Sequence, residues 1–165
     1  MKIRTRLTPD RECLIGLYQE AFAEPPWVEQ WSYTDAAMMI DNDQLSWWVS
    51  VDETTRVTGF VAGVVLPYDE LRCLFGLPES EHTSTIMTAY LAELVVDSRN
   101  RRQGIARMLT TAFLRSAQES GAGQFLVRTK PGTGNYPWYT RTLIARHTYE
   151  DGRVLFSCEG IPRSL

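Results

Sequence analysis

The chain has 165 residues, 44% of them apolar, and a formal net charge of −3. This length corresponds to one domain with a core of its own, and the net charge argues against general nucleic-acid binding. Cys13, Cys73 and Cys158 form no Cys-x-x-Cys pair and the two histidines are far apart, so we predict neither a disulfide framework nor a metal site. The first residues, MKIRTRLTPD, lack the apolar region of a signal peptide and no run approaches membrane-spanning length. We therefore expect a cytoplasmic protein with no membrane partner.

The charged residues are distributed unevenly along the chain. No Lys or Arg occurs between Arg11 and Arg56, an interval rich in Asp and Glu. The sequence thus predicts an acidic surface from its first third, which is either a solvated face or a binding surface for a cation. A basic cluster lies near the middle of the chain, and its members are Arg99, Arg101, Arg102 and Arg107.

The first residues predict a strand followed by a helix. Polar and apolar residues alternate over Lys2–Leu7, which is typical of a strand. Thr8 suits the N-cap of a helix with Pro9 at its first position. The apolar stripe of this helix ends before Pro25-Pro26.

A second helix and an aromatic connection come next. The helix is predicted around Tyr33–Ile40, opened by Ser32 or Thr34. The connection before it, EPPWVEQW, is stiffened by two prolines and carries Trp27 and Trp31. These two indoles either seal the core or form the wall of a ligand pocket.

Two strands and an irregular stretch follow. Leu45–Val51 and Arg56–Leu66 predict a hairpin, in which Gly59 and Gly63 indicate a bulge or a close approach. The stretch Pro67–Met87 has no clear periodicity. Because loops of this length are usually functional, we expect a lid here.

The clearest pattern is YLAELVVDSRNRRQGIARMLTTAFLRSAQESG, which predicts a buried strand, a basic turn and an amphipathic helix. Gly104 and Ala106 remove side-chain bulk where the helix begins, so that backbone N–H groups can approach a ligand closely. Unpaired amides and the positive end of the helix dipole favour an anion. The segment is either an anion site with the basicity that a diphosphate requires, or a solvated turn before a core helix.

The remaining third predicts a strand, a short helix and a hairpin. The strand covers Gly123–Thr129 and the helix Asn135–Leu143. Arg146–Glu150 and Arg153–Cys158 form the hairpin, which turns at Asp151-Gly152. The predicted order of elements is β-α-α-β-β-β-α-β-α-β-β.

The hexapeptide RRQGIA, preceded by a strand that ends in Val95-Val96, resembles the Arg/Gln-x-x-Gly-x-Gly/Ala signature of the GNAT superfamily of N-acetyltransferases. The order of elements also matches that fold over nearly the whole chain. The resemblance implies an α/β (α+β) fold in a single domain over residues 1–165. Its mixed central sheet of about seven strands is splayed between strands 4 and 5 and flanked by about four helices.

The same resemblance implies acetyl-CoA as co-substrate, with its pyrophosphate in the basic turn, and no metal. The tyrosine on the short helix after the fifth strand would protonate the departing thiolate, which makes Tyr139 the expected acid and Tyr136 its rival. The backbone at Val95 or Val96 would meet the acetyl carbonyl. The positions that the resemblance assigns to the coenzyme are Leu94, Val95, Val96, Arg101, Arg102, Gln103, Gly104, Ile105, Ala106, Arg107, Asn135 and Tyr139.

Glu93 is the candidate for the catalytic base, because it is the one carboxylate within the central strand. Burying a carboxylate costs free energy, so its presence there indicates a partner or a function. It would relay the proton of the amine, bind a cationic acceptor, or pair with an arginine such as Arg128. Several relatives carry their acidic residue on the face of Tyr90 and Ala92. Strand alternation points Glu93 to the opposite face unless a bulge intervenes.

The resemblance implies an enzyme that transfers an acetyl group from the thioester to a primary amine of a small molecule or peptide, by direct attack in a ternary complex. The acceptor is expected to meet Glu24, Trp27, Trp31 and Tyr90. The acidic first third favours a cationic acceptor with cation–π contacts to the indoles. Two alternatives remain open: a non-catalytic acyl-CoA sensor or dimerisation module, and an N-acyltransferase that uses a longer acyl-CoA. Homodimerisation also remains open.

Overall fold

The computed structural model describes residues 1–79 and 85–162, which form a mixed sheet of seven strands with helices on both faces. The strands are β1 (Lys2–Thr5), β2 (Ser46–Val51), β3 (Val57–Pro67), β4 (Met87–Val96), β5 (Gln124–Thr129), β6 (Ile144–Thr148) and β7 (Val154–Glu159). The helices are α1 (Arg11–Ala23), α2 (Tyr33–Ile40), α3 (Tyr68–Phe75), α4 (Ile105–Glu119) and α5 (Tyr136–Thr142). The spatial order of strands is β1-β2-β3-β4-β5-β7-β6. This confirms the expected α/β fold with a mixed central sheet.

The sequence predicted Thr8 as the N-cap of the first helix and Ser32 or Thr34 as the N-cap of the second. Thr8 does not cap α1: residues Thr8–Asp10 form a short 3-10 turn, and α1 begins at Arg11. Asp10 fixes this turn by accepting the backbone N–H of Leu7 and both guanidinium nitrogens of Arg4, at 2.6 and 2.8 Å. Ser32 caps α2, because its hydroxyl accepts the N–H of Asp35.

The stretch Pro67–Met87 was expected to be a loop, and this was wrong for its first part, which forms α3. Tyr68 and Leu71 bury one side of this helix, and Gly76 ends it in a left-handed conformation at φ 61°. The helix has only eight residues, too few for a helical period to stand out from the sequence. With α3, residues 1–79 and 85–162 contain five helices, which agrees with the expected number of about four. The rest of the expected lid includes residues 80–84, which lie outside the described residues.

A bulge interrupts the pairing of β3 with β4. Gly63 pairs with Leu91 and Ala62 pairs with Glu93, so Ala92 is the extra residue on β4. A side chain could not fit at Gly63, where a Cβ would lie 2.5 Å from the Phe113 ring. The bulge and the close approach that the glycines predicted are therefore both present.

The sheet splits between β4 and β5. The two strands pair in parallel only from Thr88 with Gln124 to Leu91 with Val127. Beyond this point Glu93–Val96 pair with β3 on one edge and have no β5 partner on the other. The expected splay is thus confirmed, and it opens one backbone edge of β4 to a ligand.

The core lies on both faces of the sheet. Helices α1, α2 and α3 cover one face, which includes Tyr18, Phe60 and Tyr90. Helix α4 covers the other, which includes Phe113, Tyr139 and Phe156. Among residues 1–79 and 85–162, none of the helices combines the length and the apolar content that crossing a bilayer requires.

Candidate active site

A buried carboxylate stabilises the turn between β4 and α4 by accepting hydrogen bonds. The side chain of Asp97 is fully buried and accepts the backbone N–H of Arg99 at 3.0 Å. The Arg99 guanidinium donates to both carboxylate oxygens, and Arg56 reaches one of them at 3.3 Å. These hydrogen bonds, chiefly those from Arg99, lower the pKa of Asp97. Arg99, which the sequence placed in the basic cluster, is therefore engaged within the chain.

The backbone of the turn presents unused donors. Arg102 and Gly104 adopt positive φ values of 65° and 78°, a conformation in which successive amides can point into one concavity. Among the described residues, the N–H groups from Arg102 to Arg107 have no hydrogen-bond acceptor, and no side chain caps α4. Donors that are exposed, unpaired and next to a helix N-terminus suit an anion. The residues present thus fit the diphosphate of a coenzyme A thioester.

Two of the remaining arginines are available, and one is shared. Arg102 and Arg107 are exposed and have no carboxylate within ion-pair distance in the described part of the chain. Arg101 lies 2.7 Å from a carboxylate oxygen of Glu24 and donates to the carbonyl of Val96 at 3.3 Å. Glu24, which the sequence assigned to the acceptor, therefore contacts the basic turn in which we expect the coenzyme.

Leu94, Val95 and Val96 lie on the open edge of β4, next to this turn. They pair with Val61, Phe60 and Gly59 of β3 on one side only. The backbone groups on the other side face the split, which is where an extended ligand could add to the strand edge. The expected coenzyme contacts on β4 and in the turn therefore form one continuous surface.

Tyr139 packs on the face of the sheet opposite to that of Tyr90. It is 3% exposed, and its ring packs against Trp138 and Phe156 at centroid distances of 5.2 and 6.1 Å. Burial raises the pKa of Tyr139 above its ordinary value, so this phenol stays protonated through the neutral range. The rival Tyr136 is half-buried against Phe156.

Asn135 precedes α5, and the structure gives its backbone a structural role. Its carbonyl accepts the N–H groups of Trp138 and Tyr139 at 3.0 and 3.1 Å. Its side chain makes no capping hydrogen bond. The amide of Asn135 thus remains available for the coenzyme contact that the resemblance assigns to it.

Glu93 lies on the same face of the sheet as Tyr90, because the bulge at Ala92 shifts the alternation of β4. It does not pair with Arg128, since no carboxylate of the described residues lies within 4.0 Å of that guanidinium. Burial raises the pKa of Glu93 to about 8, with Arg128 and Arg153 opposing the shift. A carboxylate with this pKa is suited to take up a proton near neutral pH.

The aromatic residues expected at the acceptor surround Glu93 on this face. Tyr18 faces Glu93 and slightly opposes the rise in the pKa of its carboxyl, and Trp31 packs edge-on against Tyr18 at 5.1 Å. Burial raises the pKa of Tyr90 to about 12. Trp31 donates its indole N–H to Glu29 at 3.1 Å.

Two cationic side chains of the protein itself already contact the Trp27 ring. The Lys130 ammonium lies 6.0 Å from its ring centroid and the Arg153 guanidinium 5.9 Å. Arg153 also reaches Glu29 at 3.4 Å. The cation–π contact that we expected from an acceptor is thus made internally at Trp27.

Sequence reasoning missed three residues on this face. Arg153 and Tyr149 were not considered, and Arg128 was considered only as a partner of Glu93. The position of Arg128 carried a signal, because it is the one charged residue in the apolar strand QFLVRT. No comparable signal marks Tyr149, which reaches the site only through the β6–β7 hairpin.

A groove of about 570 Å³ adjoins the acceptor face from outside. It is lined by α2 and the connection before it, including Trp31, Met38 and Met39. It contains neither Glu93 nor Tyr139. The groove can therefore extend the acceptor site but does not hold its chemistry. No metal-binding group of His, Cys, Asp or Glu occurs among residues 1–79 and 85–162.

Several solved structures that share this architecture are described as acetyltransferases. An aminoglycoside 6′-acetyltransferase type Ii superposes with a TM-score of 0.68 at 17% identity, covering 99% of each chain. The ribosomal-protein-alanine N-acetyltransferase from Brucella melitensis gives 0.68 at 15% identity, covering 96% of this chain and 99% of that one. The ribosomal-protein-S18-alanine N-acetyltransferase from Escherichia coli gives 0.64 at 14% identity, with 96% and 92% covered. At these identities the likeness establishes the fold alone.

The sequence itself matches a protein family, although none of the curated protein sequences matches the chain. The matching family model is the acetyltransferase (GNAT) family, over residues 14–143. This range runs from α1 through the basic turn to the end of α5. The chain therefore belongs to the GNAT acetyltransferase family.

Proposed function

We propose that the protein is an acetyl-CoA-dependent N-acetyltransferase that acts on a primary amine in a ternary complex. The observation that carries the proposal is the arrangement around the split in the sheet. Free backbone amides and arginines lie at one end of the split, Glu93 lies on one face and Tyr139 on the other. A thioester lying in the split would be accessible to both side chains.

Each group can perform one of the steps that amide formation requires. Glu93 would take up the proton that the amine loses, directly or through water. The amine nitrogen then bonds to the acetyl carbon, whose oxygen would receive a backbone N–H from the open edge of β4. Tyr139 would donate its proton to sulfur as the carbon–sulfur bond breaks. The phenolate that remains regains a proton from solvent.

The test compares two tyrosines at the split. Tyr139→Phe should lower kcat by about 100-fold or more, the usual range for loss of a general acid, with no change in coenzyme affinity. Tyr136→Phe is the matched control, with an expected effect of less than about threefold. Release of the free coenzyme thiol over an amine panel measures kcat, and thermal shift with acetyl-CoA measures binding. An equal loss in both variants would contradict the role of Tyr139.

Two alternatives are distinguished by the same assays. A sensor or dimerisation module would be stabilised by acetyl-CoA without releasing thiol with any amine. An enzyme for a longer acyl group would release thiol faster from a longer acyl-CoA. Location in the cytoplasm is part of our proposal, and the free cysteines at positions 13, 73 and 158 agree with a reducing compartment.

A further inference from the structure

The acceptor face of the split carries more positive charge than the acidic first third of the sequence suggests. Arg128 on β5, Lys130 after it and Arg153 at the start of β7 all lie on this face with Glu93. The carboxylates of the first third that reach the split are already paired, Glu24 with Arg101 and Glu29 with Arg153. An acceptor with several positive charges would therefore meet cations at this face.

The three cations differ in how many ion pairs and hydrogen bonds they already make within the chain. Arg153 contacts Asp151 at 2.6 Å and Glu29 at 3.4 Å. Lys130 lies over the Trp27 ring. Arg128 donates one hydrogen bond, to the carbonyl of Phe75 at 3.2 Å, and no carboxylate of the described residues lies within 4.0 Å of it. A guanidinium has five N–H donors in a planar fork that matches a carboxylate. Arg128 thus retains most of its capacity to bind an anion.

The aromatic ring that this guanidinium contacts carries a second unused donor. The Arg128 guanidinium is 5.2 Å from the centroid of the Tyr149 ring. The Tyr149 hydroxyl is the one buried side-chain polar atom in the described part of the chain that lacks a hydrogen-bond partner. A buried hydroxyl without a partner costs about 1–3 kcal/mol. Such a group normally has a ligand or a water to satisfy it.

The chain offers no internal anion to complete this pair of donors. Glu93 lies on the same face, but its carboxyl is not within 4.0 Å of the Arg128 guanidinium. Glu29 and Asp151 are held by Arg153. Tyr68, Tyr90 and Phe75 face this position from the packed elements. The ring of His147 meets the Tyr149 ring edge-on at 4.7 Å, and none of these groups is an anion. The missing partner is therefore an anion supplied by a ligand.

We propose that the acceptor is an amine that also carries a carboxylate, which binds to the guanidinium of Arg128 and the hydroxyl of Tyr149 while the amine faces Glu93. This rests on the proposed function and specifies its substrate class. It replaces the cationic acceptor that the sequence favoured. A carboxylate here would gain a charge-assisted, bidentate pairing, whereas the corresponding amide would leave Arg128 without an anion.

Pairs of acceptors that differ only at this group test the proposal. Each amino acid or ω-amino carboxylate is compared with its own carboxamide: leucine with leucinamide, β-alanine with β-alaninamide, and 4-aminobutyrate with its amide. The kcat/KM from thiol release should favour the carboxylate of at least one pair by tenfold or more. Arg128→Gln should abolish the preference mainly through KM. Arg115→Gln, which removes the same charge from the exposed face of α4, should leave it unchanged.

A second variant covers the case in which Arg128→Gln does not fold. Tyr149→Phe removes only the unpaired hydroxyl and should reduce the preference by about threefold to tenfold. Thermal shift of the coenzyme complex with each pair reports binding when turnover is slow. The proposal is overturned if no carboxylate exceeds its amide in either assay, or if polyamines react faster than every carboxylate. Thiol release with amides or polyamines would then leave the proposed function standing, whereas no response to acetyl-CoA at all would remove both.

Discussion

The two sides of the split in the sheet are built in different ways. The coenzyme side comes almost entirely from one continuous segment, the end of β4, the basic turn and the start of α4. The acceptor side is assembled from the α1–α2 connection, β4, β5 and the β6–β7 hairpin. Its charged residues Glu29, Glu93, Arg128 and Arg153 are far apart in the sequence.

This difference suits the ligand that we propose for each side. Backbone amides on the coenzyme side would bind a diphosphate whatever the neighbouring side chains are, so one short motif would be sufficient. Side chains determine the acceptor side, and an exchange on any of four segments can change the substrate. Relatives with this fold can thus share a coenzyme and differ in acceptor.

Glu93→Gln should produce the largest effect and tests the acceptor side. If Glu93 is the base, kcat/KM should fall by about 100-fold or more, and the bend that its titration gives the wild-type pH profile near pH 8 should disappear. Tyr18 and Tyr90 titrate at higher pH, so this bend belongs to Glu93. The acceptor amine, with a pKa of about 10, adds a rise that continues above pH 8 in both proteins. A pH profile of kcat/KM measures the bend. Glu70→Gln on the exposed side of α3 is the control, and a bend near pH 8 that persists in Glu93→Gln would contradict the role.

The same substitution has a stability signature with a defined sign. The pKa of Glu93 lies at about 8 in the fold against 4.5 as the reference, so the folded state binds the proton more tightly than the unfolded chain. The free energy of unfolding should therefore fall as the pH rises from about 4.5 to about 8, and stay level above it. Glu93→Gln should lack this fall and exceed the wild type by roughly 4–5 kcal/mol at pH 9, because each tenfold change in proton affinity is worth about 1.4 kcal/mol. Urea denaturation at pH 5 and pH 9 checks the difference.

Gly104→Ala tests the coenzyme side with a smaller effect. A Cβ at Gly104 would meet no atom of the chain within 4 Å, but it would project from the turn whose amides are free. We expect affinity for acetyl-CoA to fall by about tenfold. Gly152→Ala in the β6–β7 turn is a matched control, because its φ of 80° is close to the 78° of Gly104 and its surroundings are equally open.

Both alanine variants should lose a similar amount of stability, about 1 kcal/mol, from the positive φ. Isothermal titration with acetyl-CoA separates them, since only Gly104→Ala should weaken binding. Equal affinities in the two variants would mean that the turn does not hold the diphosphate. The assignment of the coenzyme side would then fail, whatever the acceptor side binds.

Most of the fold could be predicted from the sequence because the patterns that encode its strands, helices and turns each lie within a short window. The alternation of β1, the stripe of α4 and the Asp151-Gly152 turn are each contained in a short window. Helix α3 was missed because eight residues between Pro67 and Gly76 carry too little of a helical period. Thr8 was misassigned because Asp10, two residues later, accepts the N–H of Leu7 and the guanidinium of Arg4, and these hydrogen bonds fix the turn.

In the candidate site, too, the residues of a local motif could be predicted, and those brought together by distant segments could not. Gly104 and its neighbours could be predicted because the motif itself creates the open amides. The orientation of Glu93 depends on a bulge that Gly63 permits by its contact with Phe113, a residue on α4. Arg128 and Tyr149 meet only after β5 and the β6–β7 hairpin pack together. No local pattern encodes such a contact between distant segments.

Glu24→Gln should give the smallest effect and decides to which side this residue belongs. In the structure its carboxylate lies 2.7 Å from Arg101, with both side chains nearly half exposed. An exposed pair of this kind contributes little to stability, about 0–1 kcal/mol. It does, however, compete with a diphosphate for the Arg101 guanidinium. Removing the charge should therefore tighten binding of acetyl-CoA by about twofold to threefold, and added salt should reduce the gain.

Titration of acetyl-CoA at two ionic strengths measures this, with Glu119→Gln at the exposed end of α4 as the control for net charge. Tighter coenzyme binding with unchanged KM for the amine would assign Glu24 to the coenzyme side, as its contact with Arg101 indicates. A raised KM for the amine with unchanged coenzyme affinity would return Glu24 to the acceptor side, where the sequence placed it. The pair of Glu24 and Arg101 would then join the two sides instead of belonging to one, because Arg101 itself lies in the turn.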